Sequence, residues 1–150
     1  SCAADACGFL GFVISRALAR KPTDEDSAAT FLDSCASCYL ERIGSEEQAL
    51  LQRLLRSAEP PGSTEHCWNW RDPAGPFLRE TLSARGKSYN GYPVSAGYFG
   101  AYCMDGLAIA LHSFYHTETF MAALARCVNL LGDADSTGAI CGQIAGAFYG

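Results

Sequence analysis

The sequence has 150 residues, of which 49% are hydrophobic, and its sixteen acidic and eleven basic residues give a net charge of −5. That composition belongs to a folded domain with a core of its own and excludes a disordered chain. The basic residues form no cluster and no apolar run is long enough to cross a bilayer, which argues against nucleic acid and membranes as partners.

The first residues indicate the context of the chain. Ser1 is not a methionine, a helix is predicted to begin almost at once, and the basic region of a secretory signal is lacking. We therefore expect a piece of a longer protein that is intracellular and cytoplasmic. Eight cysteines would permit disulfides, and Cys35 and Cys38 form a C-x-x-C pair. Because no second pair or βαβ frame accompanies that pair, we expect reduced, packed thiols.

Three helices are predicted before residue 60. Apolar groups recur at helical spacing from Ala3 to about Arg20 and again from Ser27 to Arg42. Ser45 and Gln48 have the spacing of a capping box at the start of the third helix. The predicted role of all three helices is to form the core.

An aromatic cluster follows a loop at residues 60–64. Trp68 and Trp70 lie beside Arg71, in a segment too short for a helix. They could stack on a flat ligand, but we favour the interpretation that they cover an edge of the core. Residues 74–85 are predicted to form another short helix.

The segment from Gly86 to Gly100 is rich in both glycine and aromatic residues. Irregular glycine-rich backbone lets main-chain amides approach a ligand, and aromatic rings offer stacking surfaces. The alternative is a flexible connector, which composition alone leaves open.

Two further helices are predicted after this segment. His112 and His116 have the spacing of a metal pair, but Ser113 replaces the glutamate of the zinc motif, so we interpret both histidines as residues at the edge of the core. Thr117 is expected to cap the next helix. The apolar face of that helix is predicted to consist of Phe120, Leu124, Cys127, Val128 and Leu131. No strand is predicted, and the fold class is therefore all-α.

The carboxyl-terminal stretch carries most of the chemistry. Two carboxylates, Asp133 and Asp135, stand two residues apart after a glycine, and hydroxyl residues follow from Ser136. A helix cap would explain one carboxylate but not both. An EF-hand would require a bidentate glutamate where Ile144 stands, and a membrane dimer helix would be longer and would not carry Gln143.

Glycines recur every fourth residue in the helix after this loop, at Gly138, Gly142, Gly146 and Gly150. An interior glycine costs a helix about 1 kcal/mol relative to alanine. The stripe therefore predicts a helix face that another backbone approaches closely. Together, the stretch predicts a loop of hard oxygen ligands anchored by a tightly packed helix.

The run from Asn129 to Thr137 and the helix that follows resemble the carboxyl-terminal signature of the ADP-ribosylglycohydrolase family. That signature is a Gly-Gly-Asp-x-Asp-Thr core followed by a Gly-x-x-x-Gly-Ala-x-x-Gly helix. Here Leu131 stands at the first glycine, and Ser136, which keeps the hydroxyl, stands at the last threonine. The segment Gly100–Leu111 resembles the family's penultimate motif more loosely.

The resemblance implies that residues 1–150 are the carboxyl-terminal part of a compact multi-helix, all-α domain. It implies an enzyme that hydrolyses the glycosidic bond between ADP-ribose and a modified protein side chain or ADP-ribose polymer, with two magnesium ions, or manganese in their place. Its partners would be an ADP-ribosylated protein or ADP-ribose. By the same resemblance the metal ligands are Asp133, Asp135 and Ser136, with Asp135 bridging both ions, and the substrate contacts are Gly100, Ala101 and Tyr102.

The family completes its metal sites with a Thr-Asp-Asp cluster and an acid/base glutamate from its amino-terminal half. Neither is found here, so no catalytic residue is assigned, and we expect the isolated chain to be inactive. The alternative is a non-catalytic relative that is structural or binds ADP-ribose, like the lens crystallins that resemble the family. The presence of both Asp133 and Asp135 favours the enzyme.

Overall fold

The computed structural model describes residues 1–21, 23–44, 47–89, 92–93 and 99–150. Over these residues the chain forms seven α-helices, and a 3-10 turn, His66–Trp68, lies between the third and the fourth. The all-α prediction is confirmed. The helices are α1 (Cys2–Leu18), α2 (Ala28–Leu40), α3 (Ala49–Arg56), α4 (Leu78–Arg85), α5 (Cys103–Tyr115), α6 (Phe120–Asn129) and α7 (Ala134–Tyr149).

One short strand pair departs from the prediction that the chain has no strand. β1 (Ser88–Tyr89) and β2 (Tyr92–Pro93) pair antiparallel, with Tyr89 opposite Tyr92. Tyrosine is favoured in strands, but a ladder of two residues is too short to produce an alternating pattern in the sequence. The rest of the segment that was predicted to approach a ligand, residues 90–91 and 94–98, lies outside the described residues.

Hydroxyl side chains cap several helices. Ser27 accepts a hydrogen bond from the backbone of Thr30 at 3.1 Å at the start of α2, and Thr119 accepts one from Ala122 at 3.1 Å at the start of α6. The prediction that Thr117 caps the start of α6 was therefore wrong, because Thr119 is the cap. The Thr117 hydroxyl instead donates to the carbonyl of Ser113 at 2.8 Å, and so satisfies an acceptor in the last turn of α5.

The predicted cap of α3 is not tested, because Ser45 lies outside the described residues. Its proposed partner, Gln48, occupies the N-cap position with φ 53° and makes no capping hydrogen bond through its side chain.

Helix α5 forms the centre of the domain. All of its residues from Met104 to Phe114 are buried, because α1, α2, α3, α6, α7 and the 3-10 turn pack around it. A helix that is buried on all sides is apolar on all sides, and this sequence is nearly so. His112 is 1% exposed, so the prediction that it lies at the edge of the core was wrong. His116 is partly buried.

Both tryptophans are fully buried and each satisfies its indole N–H inside the protein. Trp70 donates to the carbonyl of Leu54 at 2.8 Å, and Trp68 donates to Asp105 at 2.8 Å. Burial of an aromatic ring of this size supplies a large share of core stability. The two rings therefore pack in the core, which agrees with the interpretation favoured over ligand stacking.

Two expectations about α6 and α7 were wrong. Leu131 is 68% exposed, because α6 ends at Asn129 and the chain turns before Leu131 can continue the apolar face. Val128, inside α6, is 38% exposed even though its side chain lies beside Gly138. In α7, a Cβ on Gly138 would lie 3.1 Å from Val128, but a Cβ on Gly142 would meet nothing within 4 Å. Among the described residues, no backbone from another element lies close to the stripe: the near neighbour of Gly138 is a side chain, and that of Gly150 is the carbonyl oxygen of Gly146 in the same helix.

The described cysteines are all free thiols. In the part of the chain that the structure describes, no helix has the length and apolarity needed to cross a membrane.

Candidate functional site

The turn before α5 and the turn before α7 meet, although they are far apart in the sequence. The backbone N–H of Asp133 donates to the carbonyl of Phe99 at 2.8 Å. Between them Gly132, at φ 70°, has no side chain, and a Cβ there would lie 2.6 Å from the Phe99 carbonyl oxygen. Glycine is required here both for the left-handed backbone and for the close approach.

Two more glycines fix the other side of this junction. Gly100 has φ 93°, and a Cβ on it would lie 2.8 Å from the Thr137 methyl group and 3.6 Å from the Asp133 Cβ. In the first turn of α5, a Cβ on Gly106 would lie 2.7 Å from the Gly100 carbonyl oxygen. Because atoms cannot approach this closely without movement, the turn at Gly100 is held tightly between α5 and α7.

The three predicted metal ligands lie at the start of α7. Asp133 is partly buried at the N-cap position, whereas Asp135 and Ser136 are exposed in the first turn. The next hydroxyl, that of Thr137, is buried and turns inward toward the carbonyl of Ala134, at 3.5 Å.

These three side chains fit part of a magnesium site. Magnesium prefers hard oxygen ligands, which two carboxylates and a hydroxyl provide. Within the described residues none of the three side chains makes a hydrogen bond or an ion pair, so their oxygens remain available to a ligand. They are fewer than an octahedral ion needs, and no group of three or more His, Cys, Asp and Glu side chains placed to hold a metal is found among the described residues.

The three predicted substrate contacts differ in accessibility. Gly100 is buried under α7, Ala101 is partly exposed, and Tyr102 is 6% exposed. The Tyr102 ring packs edge-on against Tyr89, with ring centroids 5.4 Å apart, and burial raises the pKa of its hydroxyl. Ala101 is therefore the residue of this turn that faces outward, and contact of the three residues with ADP-ribose stays a prediction.

A buried ion pair beneath the turn was not predicted. Asp105 in the first turn of α5 accepts two hydrogen bonds from Arg85, at 2.5 Å and 3.1 Å, and the two side chains are 7% and 1% exposed. Arg85 also lies over the ring of Tyr89, 3.8 Å from its centroid. The sequence did offer one signal, because Asp105 is a charge at the start of an otherwise apolar helix.

This ion pair joins α4 to the beginning of α5. Asp105 also accepts from the indole of Trp68 at 2.8 Å and from the thiol of Cys67 at 3.3 Å. Burial, with the charge of Asp105 beside it, raises the pKa of Cys67 well above its ordinary value. A buried charge needs such a set of partners to offset its desolvation. The pair therefore holds Tyr89 and, through its ring, Tyr102 in place behind the predicted substrate turn.

Comparisons with known proteins found a matching family and matching relatives. A family model described as ADP-ribosylglycohydrolase matches residues 1–150. The ADP-ribosyl-[dinitrogen reductase] glycohydrolase of Rhodospirillum rubrum is 46% identical over 54 residues, which are 36% of this chain and 18% of that protein. The ADP-ribosylarginine hydrolase Tri1 of Serratia proteamaculans (strain 568) is 45% identical over 49 residues, which are 33% of this chain and 13% of that protein.

The matched part of the chain spans less than a fifth of the length of each of these curated relatives. No solved structure gives a significant match.

Proposed function

Because this chain belongs to the ADP-ribosylglycohydrolase family, we propose that the protein is a metal-dependent ADP-ribosyl hydrolase that uses Asp133, Asp135 and Ser136 as metal ligands. The reaction would be hydrolysis of the glycosidic bond between ADP-ribose and a modified protein side chain or another ADP-ribose. Its two named relatives are hydrolases of ADP-ribosylated proteins or of ADP-ribosylarginine.

One observation supports the proposal above all others. The turn that was expected to contact the substrate and the loop that was expected to hold the metal are joined by the hydrogen bond from Asp133 to Phe99, at 2.8 Å. The contacts of Gly100 and Gly132 leave this junction almost no freedom. A substrate lying on Ala101 would therefore meet the carboxylates of α7 at a fixed distance, as orientation of a reacting bond requires.

Charge explains why a cation belongs in this arrangement. Asp133 and Asp135 bring two negative charges to the start of α7, and the diphosphate of ADP-ribose brings two more. Like charges this close repel one another unless a cation lies between them. Bound magnesium or manganese would neutralise this repulsion, orient the ribose hydroxyls and polarise a water molecule near the anomeric carbon.

The chain's own residues would have distinct tasks. Asp133 is held by its backbone hydrogen bond, so its carboxylate would be the fixed ligand. Asp135 and Ser136 project from the exposed face of the first turn of α7, where they can close around an ion, and we propose that Asp135 bridges two of them. Ala101 would present backbone to the substrate, since Gly100 keeps the turn close to α7.

Binding of Mn²⁺ tests the ligand assignment directly. We expect the paramagnetic resonance signal of free Mn²⁺ to fall on addition of the protein, and Asp135→Asn to weaken binding more than Asp133→Asn, because a bridging ligand serves two ions. Glu118→Gln is the matched control, since Glu118 is an exposed carboxylate beside Tyr149, at the opposite end of α7 from the predicted ligands. Unchanged Mn²⁺ affinity in both aspartate variants would refute the assignment.

A further inference from the structure

A second cleft lies between α6 and the segment that leads into α4. It is a wide-open depression with a volume of about 720 Å³. Leu130, at one edge of it, precedes Asp133 by three residues, so their Cα atoms are at most about 11 Å apart. Its lining includes Phe77, Leu78, His112, Arg126, Asn129 and Leu130.

Arg126 carries a charge in this cleft that no carboxylate neutralises within the described part of the chain. Three other arginines, Arg53, Arg71 and Arg85, form ion pairs at 2.5–3.1 Å. Arg126 instead donates one hydrogen bond, at 3.1 Å, to the Nε2 atom of His112. Its other guanidinium N–H groups make no hydrogen bond to a described residue.

The structure fixes His112 as an uncharged acceptor. Its Nδ1 atom lies 3.1 Å from the carbonyl oxygen of Trp70, which can only accept, so Nδ1 carries the proton and Nε2 is free to accept from Arg126. The Nε2–H of His116 donates to the same carbonyl at 3.1 Å. Burial and the neighbouring His116 lower the pKa of His112 to about 4. Arg126 is therefore oriented without losing its charge.

The other groups of the cleft suit an anion attached to an apolar group. Arg79 adds a second positive charge and Glu80 a negative one, so the residues that line the cleft carry a net positive charge with Arg126 included. Asp72, whose charge acts on His112 and His116, lies nearby but is not part of the lining. Phe77, Leu78 and Leu130 form an apolar wall beside these charges. A guanidinium with free N–H groups binds phosphate or carboxylate oxygens strongly, and best in pairs.

We propose that this cleft is a binding site for a small aromatic or apolar oxyanion, a phosphate ester or a carboxylate, with Arg126 as its anion ligand. The site is separate from the proposed metal loop and does not depend on the proposed hydrolysis. His112 is a positioning residue in it, because it directs the guanidinium toward the cleft without neutralising it.

Calorimetric titration with three simple probes tests the site and separates the two sources of the oxyanion. Phenyl phosphate carries a dianion and a ring, benzoate a monoanion and a ring, and inorganic phosphate the anion alone. We expect saturable binding of phenyl phosphate, weaker binding of benzoate because its charge is lower, and weaker binding of inorganic phosphate because it cannot use the apolar wall. Benzoate binding more tightly than phenyl phosphate would assign the site to carboxylates.

Variants locate the probe. Arg126→Gln should weaken phenyl phosphate binding about tenfold or more, since a hydrogen bond to a charged group is lost. Arg42→Gln removes an exposed arginine elsewhere and should bind as the wild type does. Asn129→Asp is a second test that leaves Arg126 in place, because it adds a negative charge at an exposed position of the cleft, and it should also weaken binding.

Three results would overturn the proposal. They are no saturable binding of any probe, equal binding by the wild type and both cleft variants, and loss of phenyl phosphate binding in Asp135→Asn. The last result would place the probe at the metal loop instead of at this cleft.

Discussion

Replacement of Gly132 by alanine tests the junction on which the candidate site is built. Gly132 lies at φ 70°, directly before Asp133, and the Phe99 carbonyl oxygen occupies the place that a side chain would need. The added methyl group would meet that oxygen at 2.6 Å and the Phe99 ring at 2.8 Å. Relief of these contacts requires one turn to move away from the other.

The expected cost is the sum of two effects. A left-handed backbone costs a residue with a Cβ about 1–2 kcal/mol, and overpacking of a tight contact costs about 1–3 kcal/mol. We therefore expect Gly132→Ala to lower the free energy of unfolding by about 2–5 kcal/mol. A domain is typically stable by about 5–15 kcal/mol, so this loss is large but need not unfold the protein.

Leu131 is the matched control because it has a left-handed backbone too, at φ 66°, but its side chain is 68% exposed. Leu131→Gly removes the strain without creating a cavity, so it should raise stability by up to about 1 kcal/mol. Urea unfolding followed by circular dichroism measures both changes. A Gly132→Ala midpoint equal to that of the wild type would refute the close approach of the two turns.

Three other expectations concern the helices. Gly106→Ala should destabilise the protein by about 1–2 kcal/mol, because the clash of the new methyl group with a backbone oxygen costs more than the gain in helix propensity. Gly142→Ala should stabilise it by about 1 kcal/mol, because open space surrounds Gly142. Thermal melts that rank the two variants the other way would contradict this packing. Burial lowers the pKa of His112 in the folded protein to about 4, from its ordinary 6.5. Between these pH values the unfolded state binds more protons, so the free energy of unfolding should rise by about 3 kcal/mol from pH 4 to 6.5. An equally steep rise in His112→Gln would assign that pH dependence to another group. Asp105→Asn leaves the Arg85 charge buried without a counter-charge and should cost about 3–5 kcal/mol in urea unfolding, and a loss below 1 kcal/mol would mean that water solvates Arg85.

The helices could be predicted because their apolar residues recur at helical spacing. The boundaries of α1 and α2 lie within two residues of the predicted ones, since proline or glycine and a serine cap mark them. The same spacing misled at the end of α6. Leu131 fits the periodic pattern, but the left-handed turn that leads into Asp133 carries it into solvent.

Contacts between distant parts of the chain could not be predicted. The regular glycine stripe in α7 predicted a close approach of another backbone to that helix, yet the glycines that the backbone of another segment approaches are Gly106 and Gly132. Glycine spacing within a helix reports nothing about which face meets another turn. Likewise, His112 is tolerated inside the buried helix α5 because the carbonyl of Trp70, far away in the sequence, satisfies its Nδ1 atom.

The metal loop was predicted because its three proposed ligands lie within four residues of one another. The structure confirms that Asp133, Asp135 and Ser136 lie together at the start of α7, and metal binding by them stays a prediction. The proximity of this loop to the turn at Gly100 could be inferred from the family resemblance alone, and the residues that create it, such as Phe99, carry no recognisable motif.

Release of free ADP-ribose from an ADP-ribosylated protein is the most direct test of the central claim. We expect the intact protein to release ADP-ribose in the presence of Mg²⁺ or Mn²⁺, to lose this activity in EDTA, and to lose it in Asp135→Asn but not in Glu118→Gln. Release that continues in EDTA or in Asp135→Asn would contradict the assigned metal site. No release from arginine-linked, serine-linked or polymeric ADP-ribose would identify a non-catalytic member of the family.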